Sequence, residues 1–247
     1  MDPYYSDELV TIYHGDCRDV LPTLAVDAVV TDPPYGTGYY VTDKAILTGE
    51  LMASWVEQYR TVMVFGYPER LVGLCVAAEV VPVEWVTWWP TNGAVRGTNL
   101  SGLWKETECV AAFGEHVFED LRVERESGSF RHDVKRWADD NSHKRRGTSH
   151  GNPETRRCPD VWRDASPNLG FNIKRRNHPN EKPVTVMARL LEATPPGVVA
   201  DPFMGSGSTL VAARQLGRRC IGIEVEERYC EVAVRRLDQQ TLALVGD

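Results

Sequence analysis

An α/β fold built on a mostly parallel sheet is predicted by three features of this 247-residue chain. Short β-branched runs alternate with stretches of helical period, the pattern of strands joined by crossover helices. Two of those runs, Ala28-Val29-Val30-Thr31 and Val198-Val199-Ala200, lead directly into Asp32-Pro33-Pro34-Tyr35 and Asp201-Pro202-Phe203-Met204-Gly205-Ser206-Gly207-Ser208-Thr209. Both segments therefore sit at carboxyl ends of strands, where open α/β sheets bind their ligands. A pair of alternating runs, residues 83–89 and 107–113, predicts antiparallel neighbours at one edge.

The elements follow in order. Leu9-Val10-Thr11-Ile12-Tyr13 reads as a strand ending at His14-Gly15-Asp16, and residues 17–24 as a short helix before the strand that ends at Asp32. A loop over 36–50, with three Gly and two Tyr, precedes a helix over 51–59. Thr61-Val62-Met63-Val64-Phe65 is a strand and residues 68–78 a helix. From 115 to 177 the period dissolves into polar, basic sequence broken by Pro, Asn and Gly. A structureless connection of that length is foreign to a compact domain, so it reads as a functional insertion or a partly disordered segment. A helix over 184–192 and the turn Pro195-Pro196-Gly197 lead to the second Asp-Pro strand. A helix over 208–216 follows, then the strand Arg219-Cys220-Ile221-Gly222-Ile223 ending at Glu224, and a final helix over 226–244. The chain thus divides into residues 1–114, an insert over 115–177, and residues 178–247.

Composition narrows the function classes. With 42% hydrophobic residues and seven Trp, the chain can bury a sizeable core. No apolar run approaches a membrane span, and the start lacks the regions of a signal peptide, so a cytoplasmic protein with no membrane partner is expected. Six scattered Cys without a C-x-x-C pair predict reduced thiols and no metal. His132, His143, His150 and Cys158 match no common finger spacing. The net charge of −7 hides an asymmetry: residues 122–182 carry 15 Lys+Arg against 9 Asp+Glu, the remainder 13 against 26. Such a division fits a nucleic-acid-facing region on an acidic body, or an ordinary solvated surface. Three clusters in the irregular region, Lys144-Arg145-Arg146, Arg156-Arg157 and Lys174-Arg175-Arg176, are the candidate phosphate contacts. Trp88, Trp89 and Trp104 read as packing residues.

Gly205 and Gly207 let the second Asp-Pro segment turn sharply and approach a ligand. Glu224, at the tip of the next strand, is suited to two ribose hydroxyls. Read alone, the turn serves NAD or a tightly packed helix equally well. Asp201 before it would repel a pyrophosphate and attract a cationic ligand, which tilts the choice towards S-adenosylmethionine. Asp32-Pro33-Pro34-Tyr35 alone could be only a strand-ending turn. With a nucleoside unit elsewhere in the chain, Asp32 and the Pro33 carbonyl read instead as an acceptor pair able to rehybridise an exocyclic amino nitrogen and aim its lone pair. Pro33 and Pro34 fix the backbone that carries them, and Tyr35 offers a stacking face. Catalysis would rest on positioning and electrostatics, without a covalent nucleophile.

The two Asp-Pro segments resemble the catalytic and cofactor signatures of DNA amino-methyltransferases, and their order resembles the circularly permuted β class. His178-Pro179-Asn180-Glu181-Lys182-Pro183 is similar to the segment preceding the cofactor strand of that class, and His14-Gly15-Asp16 to its strand-end acidic motif. The resemblance covers about residues 9–114 and 177–240. It implies a seven-stranded, mostly parallel Rossmann-like methyltransferase sheet entered at its third strand, with 115–177 as an irregular target-recognition region. It further implies that Asp16 holds the cofactor's adenine, and that Lys182, Asp201, Pro202, Phe203, Gly205, Ser206, Gly207 and Glu224 bind S-adenosylmethionine. The expected reaction is methylation of N6 of a flipped-out adenine in double-stranded DNA. Asp rather than Ser at the head of Asp32-Pro33-Pro34-Tyr35 favours adenine over cytosine-N4. A methyltransferase for RNA or protein glutamine, and a non-catalytic DNA-binding accessory subunit of the same fold, stay as alternatives. The resemblance also allows a homodimer and a cognate restriction endonuclease acting separately.

Overall fold

The computed structural model describes residues 1–34, 47–90, 107–115, 122–124, 155–157, 161–164 and 181–245. The strands among them are β1 Tyr5–Ser6, β2 Val10–His14, β3 Ala28–Thr31, β4 Thr61–Gly66, β5 Glu84–Pro90, β6 Glu108–Gly114, β7 Arg122–Glu124, β8 Thr155–Arg157, β9 Val161–Asp164, β10 Val199–Asp201 and β11 Cys220–Glu224. The helices are α1 Cys17–Val20, α2 Gly49–Gln58, α3 Pro68–Ala78, α4 Val184–Ala193, α5 Ser208–Gln215 and α6 Glu227–Val245.

The main sheet runs β1-β2-β11-β10-β3-β4-β6-β5-β9. It has nine strands where seven were expected. The five from β2 to β4 are parallel; β1–β2, β4–β6 and β6–β5 are antiparallel pairs, and β9 joins β5 in parallel. Both additions lie at the edges and have local causes. Strand β1 folds back because Asp7 Oδ1 accepts from the amides of Leu9 (2.8 Å) and Val10 (2.7 Å), closing a tight turn. Strand β9 places Trp162 opposite Trp88, and both indoles are buried. Trp88 is thus a packing residue, as its apolar strand predicted.

Strands β3 and β4 are buried along their whole length, as parallel strands covered on both faces must be. Val29, Val62, Val64, Ala200 and Ile223 point to one face and pack with Met52 and Trp55 of α2 and Leu71 and Cys75 of α3. On the other face Gly222 is required: a Cβ there would lie 2.4 Å from Met204 Sδ and 2.9 Å from Leu210 of α5. Each such fully buried Val or Leu contributes about 1.5–3 kcal/mol. No described helix is long and apolar enough to cross a membrane.

Strands β10 and β11, from the end of the chain, enter between β2 and β3, from its beginning. Val199 pairs with Ala28 and Ala200 with Val29. Asp201 therefore arrives beside the tip of β3, and Asp32 and Asp201 share one edge of the sheet. A second compact unit spans Phe118–Pro159; its described part is the antiparallel ladder β7–β8, with Val123 opposite Arg156. The stretch expected to be irregular thus contains three strands, and β9 within it returns to the main sheet.

Candidate active site

Four strand tips and one pre-helical segment build the site. At the tip of β10, Asp201 is buried and its carboxylate turns inward. Oδ1 accepts from Thr31 Oγ1 (2.8 Å) and the Phe203 amide (3.2 Å), and Oδ2 from Thr209 Oγ1 (2.5 Å). Burial pushes its carboxyl up to about 6 despite those three donors, and the nearby charge of Asp32 adds to the rise. Asp201 thereby braces the turn that follows. Gly207 closes that turn at φ +80°, where a Cβ would stand 2.8 Å from the Ala233 Cβ of α6. Only glycine fits both the backbone and the space.

At the tip of β11, Glu224 is fixed by two backbone donors: Gly205 N–H to Oε2 (3.0 Å) and Glu226 N–H to Oε1 (2.8 Å). Burial raises its carboxyl above the usual range, offset in part by those amides. Asp16 stands next to it, because the Gly15 amide donates to the Glu224 carbonyl (2.9 Å). Asp16 also caps α1 through the Arg18 amide (2.9 Å) and pairs with the Arg18 guanidinium (2.5 Å), whose hydrogen bonds hold its carboxyl below the usual range.

Arg236, on the inner side of α6, ties these parts together. Its Nη1 donates to the Ser206 carbonyl (2.8 Å) and Ser206 Oγ (2.8 Å), and its Nη2 pairs with Glu181 (2.9 Å). The glycine turn is thus clasped to the segment before α4. The sequence reading missed Arg236; its one signal was a cation near the apolar stripe Cys230, Ala233 and Leu237.

Lys182, the next residue, is buried, 6% exposed in its side chain. Its Nζ lies 2.5 Å from Asp32 Oδ2 and 3.1 Å from Glu108 Oε2, with the Phe65 ring centroid 5.5 Å away. Burial alone would push the ammonium down, but the charges of Asp32 and Glu108 and their hydrogen bonds carry it above the ordinary lysine range. Tyr67, just past β4, is raised by burial and by the Glu108 charge. Glu108 was also missed; its signal was an acid heading the apolar run Cys109-Val110-Ala111-Ala112-Phe113.

A family model described as "DNA methylase", covering N6 and N4 enzymes, matches residues 26–235. The chain belongs to this DNA methylase family. Among curated relatives, the methylase is 31% identical to the putative methylase YubD of Escherichia coli (strain K12), over 94% of this chain and 89% of the relative. It is 28% identical to the type II methyltransferase M.ScaI of Streptomyces caespitosus, over 98% of this chain and 86% of the relative. Its fold matches M1.HpyAVI, solved as a SAM complex, at TM-score 0.57 and 21% identity, over 92% of this chain and 100% of that one. It also matches the cytosine-N4-specific PvuII DNA methyltransferase at TM-score 0.59 and 14% identity, over 95% and 88%.

The methylase brings Asp16, Asp201, Gly205, Ser206, Gly207 and Glu224 to neighbouring strand tips, with Asp32, Pro33 and Pro34 beside them. Lys182 lies against Asp32. Tyr35, Lys144, Arg145, Arg146, Lys174, Arg175 and Arg176 fall outside the described residues, and of Arg156 and Arg157 only the β8 backbone is described. Among the described residues no cluster of three or more His, Cys, Asp or Glu is placed to hold a metal ion.

Proposed function

We propose that this DNA methylase transfers a methyl group from S-adenosylmethionine to N6 of an adenine extruded from double-stranded DNA. The observation that carries the reading is the 2.8 Å hydrogen bond from Thr31 to Asp201, which joins the strand ending in the amino-group acceptor to the strand opening the glycine turn. The donor set fits the cofactor. Two carboxylates at adjoining tips, Asp16 and Glu224, suit hydroxyl and amino groups and would repel a pyrophosphate. The buried Asp201 carboxylate, turned inward to Thr31, Phe203 and Thr209, shapes the turn between them. Gly205 and Gly207, at φ +50° and +80°, give the turn its left-handed backbone.

When bound, the cofactor supplies a methyl group activated on a sulfonium. The chain's part is to bind and aim. Glu224, held by two amides, would accept from ribose hydroxyls, and Asp16 from the adenine amino group. Asp32 and the Pro33 carbonyl would accept from the two amino hydrogens of the target base, and Tyr35 would stack on its ring. Lys144-Arg145-Arg146, Arg156-Arg157 and Lys174-Arg175-Arg176 would neutralise phosphates.

Adenine rests on Asp32 standing where serine often marks cytosine-N4 enzymes. The same acceptors would serve the amino group of cytosine, so the deciding experiment identifies the product. DNA from cells expressing the chain, digested to nucleosides, should contain N6-methyladenine. N4-methylcytosine alone would overturn the adenine reading, and neither product would overturn the activity.

A further inference from the structure

Lys182 is a charged residue in a place lysine rarely occupies. Three chain segments far apart in sequence converge on it: the tip of β3 with Asp32, the start of β6 with Glu108, and the segment before α4 that carries Lys182 itself. The group holds one cation between two carboxylates in a largely buried setting. Such clusters seldom add net stability over apolar residues of the same volume, so their presence calls for another explanation.

The reaction proposed above supplies one. An acceptor aimed at an amino hydrogen must be held within a few tenths of an ångström. Pro33 and Pro34 restrict the backbone after Asp32, but they leave the two side-chain torsions of Asp32 unset. We infer that Lys182 is the positioning residue that anchors the Asp32 carboxylate for the incoming amino group, and that Glu108 in turn holds Lys182. This rests on the reading of Asp32 as the amino-group acceptor.

The placement also argues against Lys182 serving the cofactor. To reach a cofactor carboxylate, its ammonium would have to give up both Asp32, at 2.5 Å, and Glu108, at 3.1 Å. A lysine kept charged by two acids is equally unfit to take up a proton. Its remaining role is that of a fixed cation.

The test uses the full chain, long unmethylated duplex DNA and labelled S-adenosylmethionine, with cofactor affinity read by calorimetry. Lys182→Met should lower kcat about 100-fold, the scale of loss from a small misplacement. Cofactor Kd and DNA KM should stay within about twofold, and Lys182→Arg should recover part of the rate. Glu108→Gln, which keeps size but removes the charge that holds Lys182, should lower kcat about tenfold with the same unchanged binding. Should Lys182→Met fail to fold, Glu108→Gln and the double variant Lys182→Met/Glu108→Gln carry the test. A Lys182→Met enzyme with intact kcat and cofactor binding weakened tenfold or more would assign Lys182 to the cofactor and overturn the inference. Wild-type values in Lys182→Met and Glu108→Gln would overturn it too. Asp32→Ala separates the two levels. If Asp32→Ala still transfers methyl at the wild-type rate, the reading of Asp32 fails; if it is dead and Lys182→Met keeps the wild-type kcat, only this inference fails.

Discussion

Thr31 and Asp201 close the active edge of the sheet: the Thr31 hydroxyl donates to Asp201 Oδ1 at 2.8 Å across 170 residues of sequence. Thr31 ends β3 and precedes Asp32, while Asp201 ends β10 and precedes the glycine turn. One buried hydrogen bond thus links the motif proposed to hold the base to the motif proposed to hold the cofactor. The bond follows from the strand register, Ala200 opposite Val29, and that register follows from a chain whose last strands insert between its first ones.

Separation of roles across that bond predicts the outcome of Asp32→Ala. The variant loses the proposed acceptor for the amino group but leaves Asp201, Gly207 and Glu224 untouched. Methyl transfer in a single turnover should fall by about 10³-fold or more, the scale seen when an aimed electrostatic partner is removed. Cofactor affinity by calorimetry should change little. Parallel loss of both in folded protein would contradict the division.

Asp201 makes a pH prediction with an unusual sign. Its folded carboxyl titrates at about 6, above the unfolded value of 3.8, so the folded state holds a proton that the unfolded state has released. Its contribution to stability is greatest at low pH and declines as pH rises through the window from 3.8 to about 6. The loss is of order ~3 kcal/mol at full extent. Asp201→Asn cannot titrate. Urea unfolding at pH 4 and pH 7 should show the wild type losing more stability over that interval than the variant. An equal change in both would refute the assignment.

Much of this architecture was legible because it is written locally. Val29-Val30 and Val62-Met63-Val64 declare buried strands by composition, and Pro68 opens the helix expected over 68–78. The antiparallel pair β5–β6 was legible from its alternation, whereas the outermost strands β1 and β9 were not, because partners rather than composition make them strands. Val161-Trp162-Arg163-Asp164 sits in polar, basic sequence and becomes a strand through its pairing with β5. The resemblance of His178-Pro179-Asn180-Glu181-Lys182-Pro183 to a family segment links Lys182 to the cofactor, and says nothing of its neighbours in space. In space, the start of β6 and the tip of β3 surround it, and no local pattern encodes that meeting. Glu108 and Arg236 carry the same lesson: a charge within or beside an apolar run was the available sign.

The Arg236 clasp predicts a coupled defect. Arg236→Ala strips the Ser206 carbonyl and hydroxyl of their donor and leaves Glu181 without its guanidinium in a mostly buried position. Stability should fall by about 2–3 kcal/mol, the range for lost hydrogen bonds to a charged group. Because the glycine turn loses its brace, cofactor affinity should fall as well, by about tenfold for each 1.4 kcal/mol of preorganisation lost. Arg236→Lys keeps the charge without the planar fork and should recover only part of either. A stability loss with cofactor affinity unchanged would show that the turn does not depend on the clasp.

Gly207→Ala should be damaging for two separable reasons, a left-handed backbone and a Cβ 2.8 Å from the Ala233 Cβ. The backbone penalty is about 1 kcal/mol, and the crowding adds about 1–3 kcal/mol unless α6 shifts. Ala233→Gly removes the crowding and leaves the backbone penalty. The double variant Gly207→Ala/Ala233→Gly should therefore regain cofactor binding relative to Gly207→Ala, yet stay below the single Ala233→Gly variant in thermal stability. Full recovery in the double variant would mean that only space matters at this position. No recovery would mean that the left-handed φ alone makes glycine necessary.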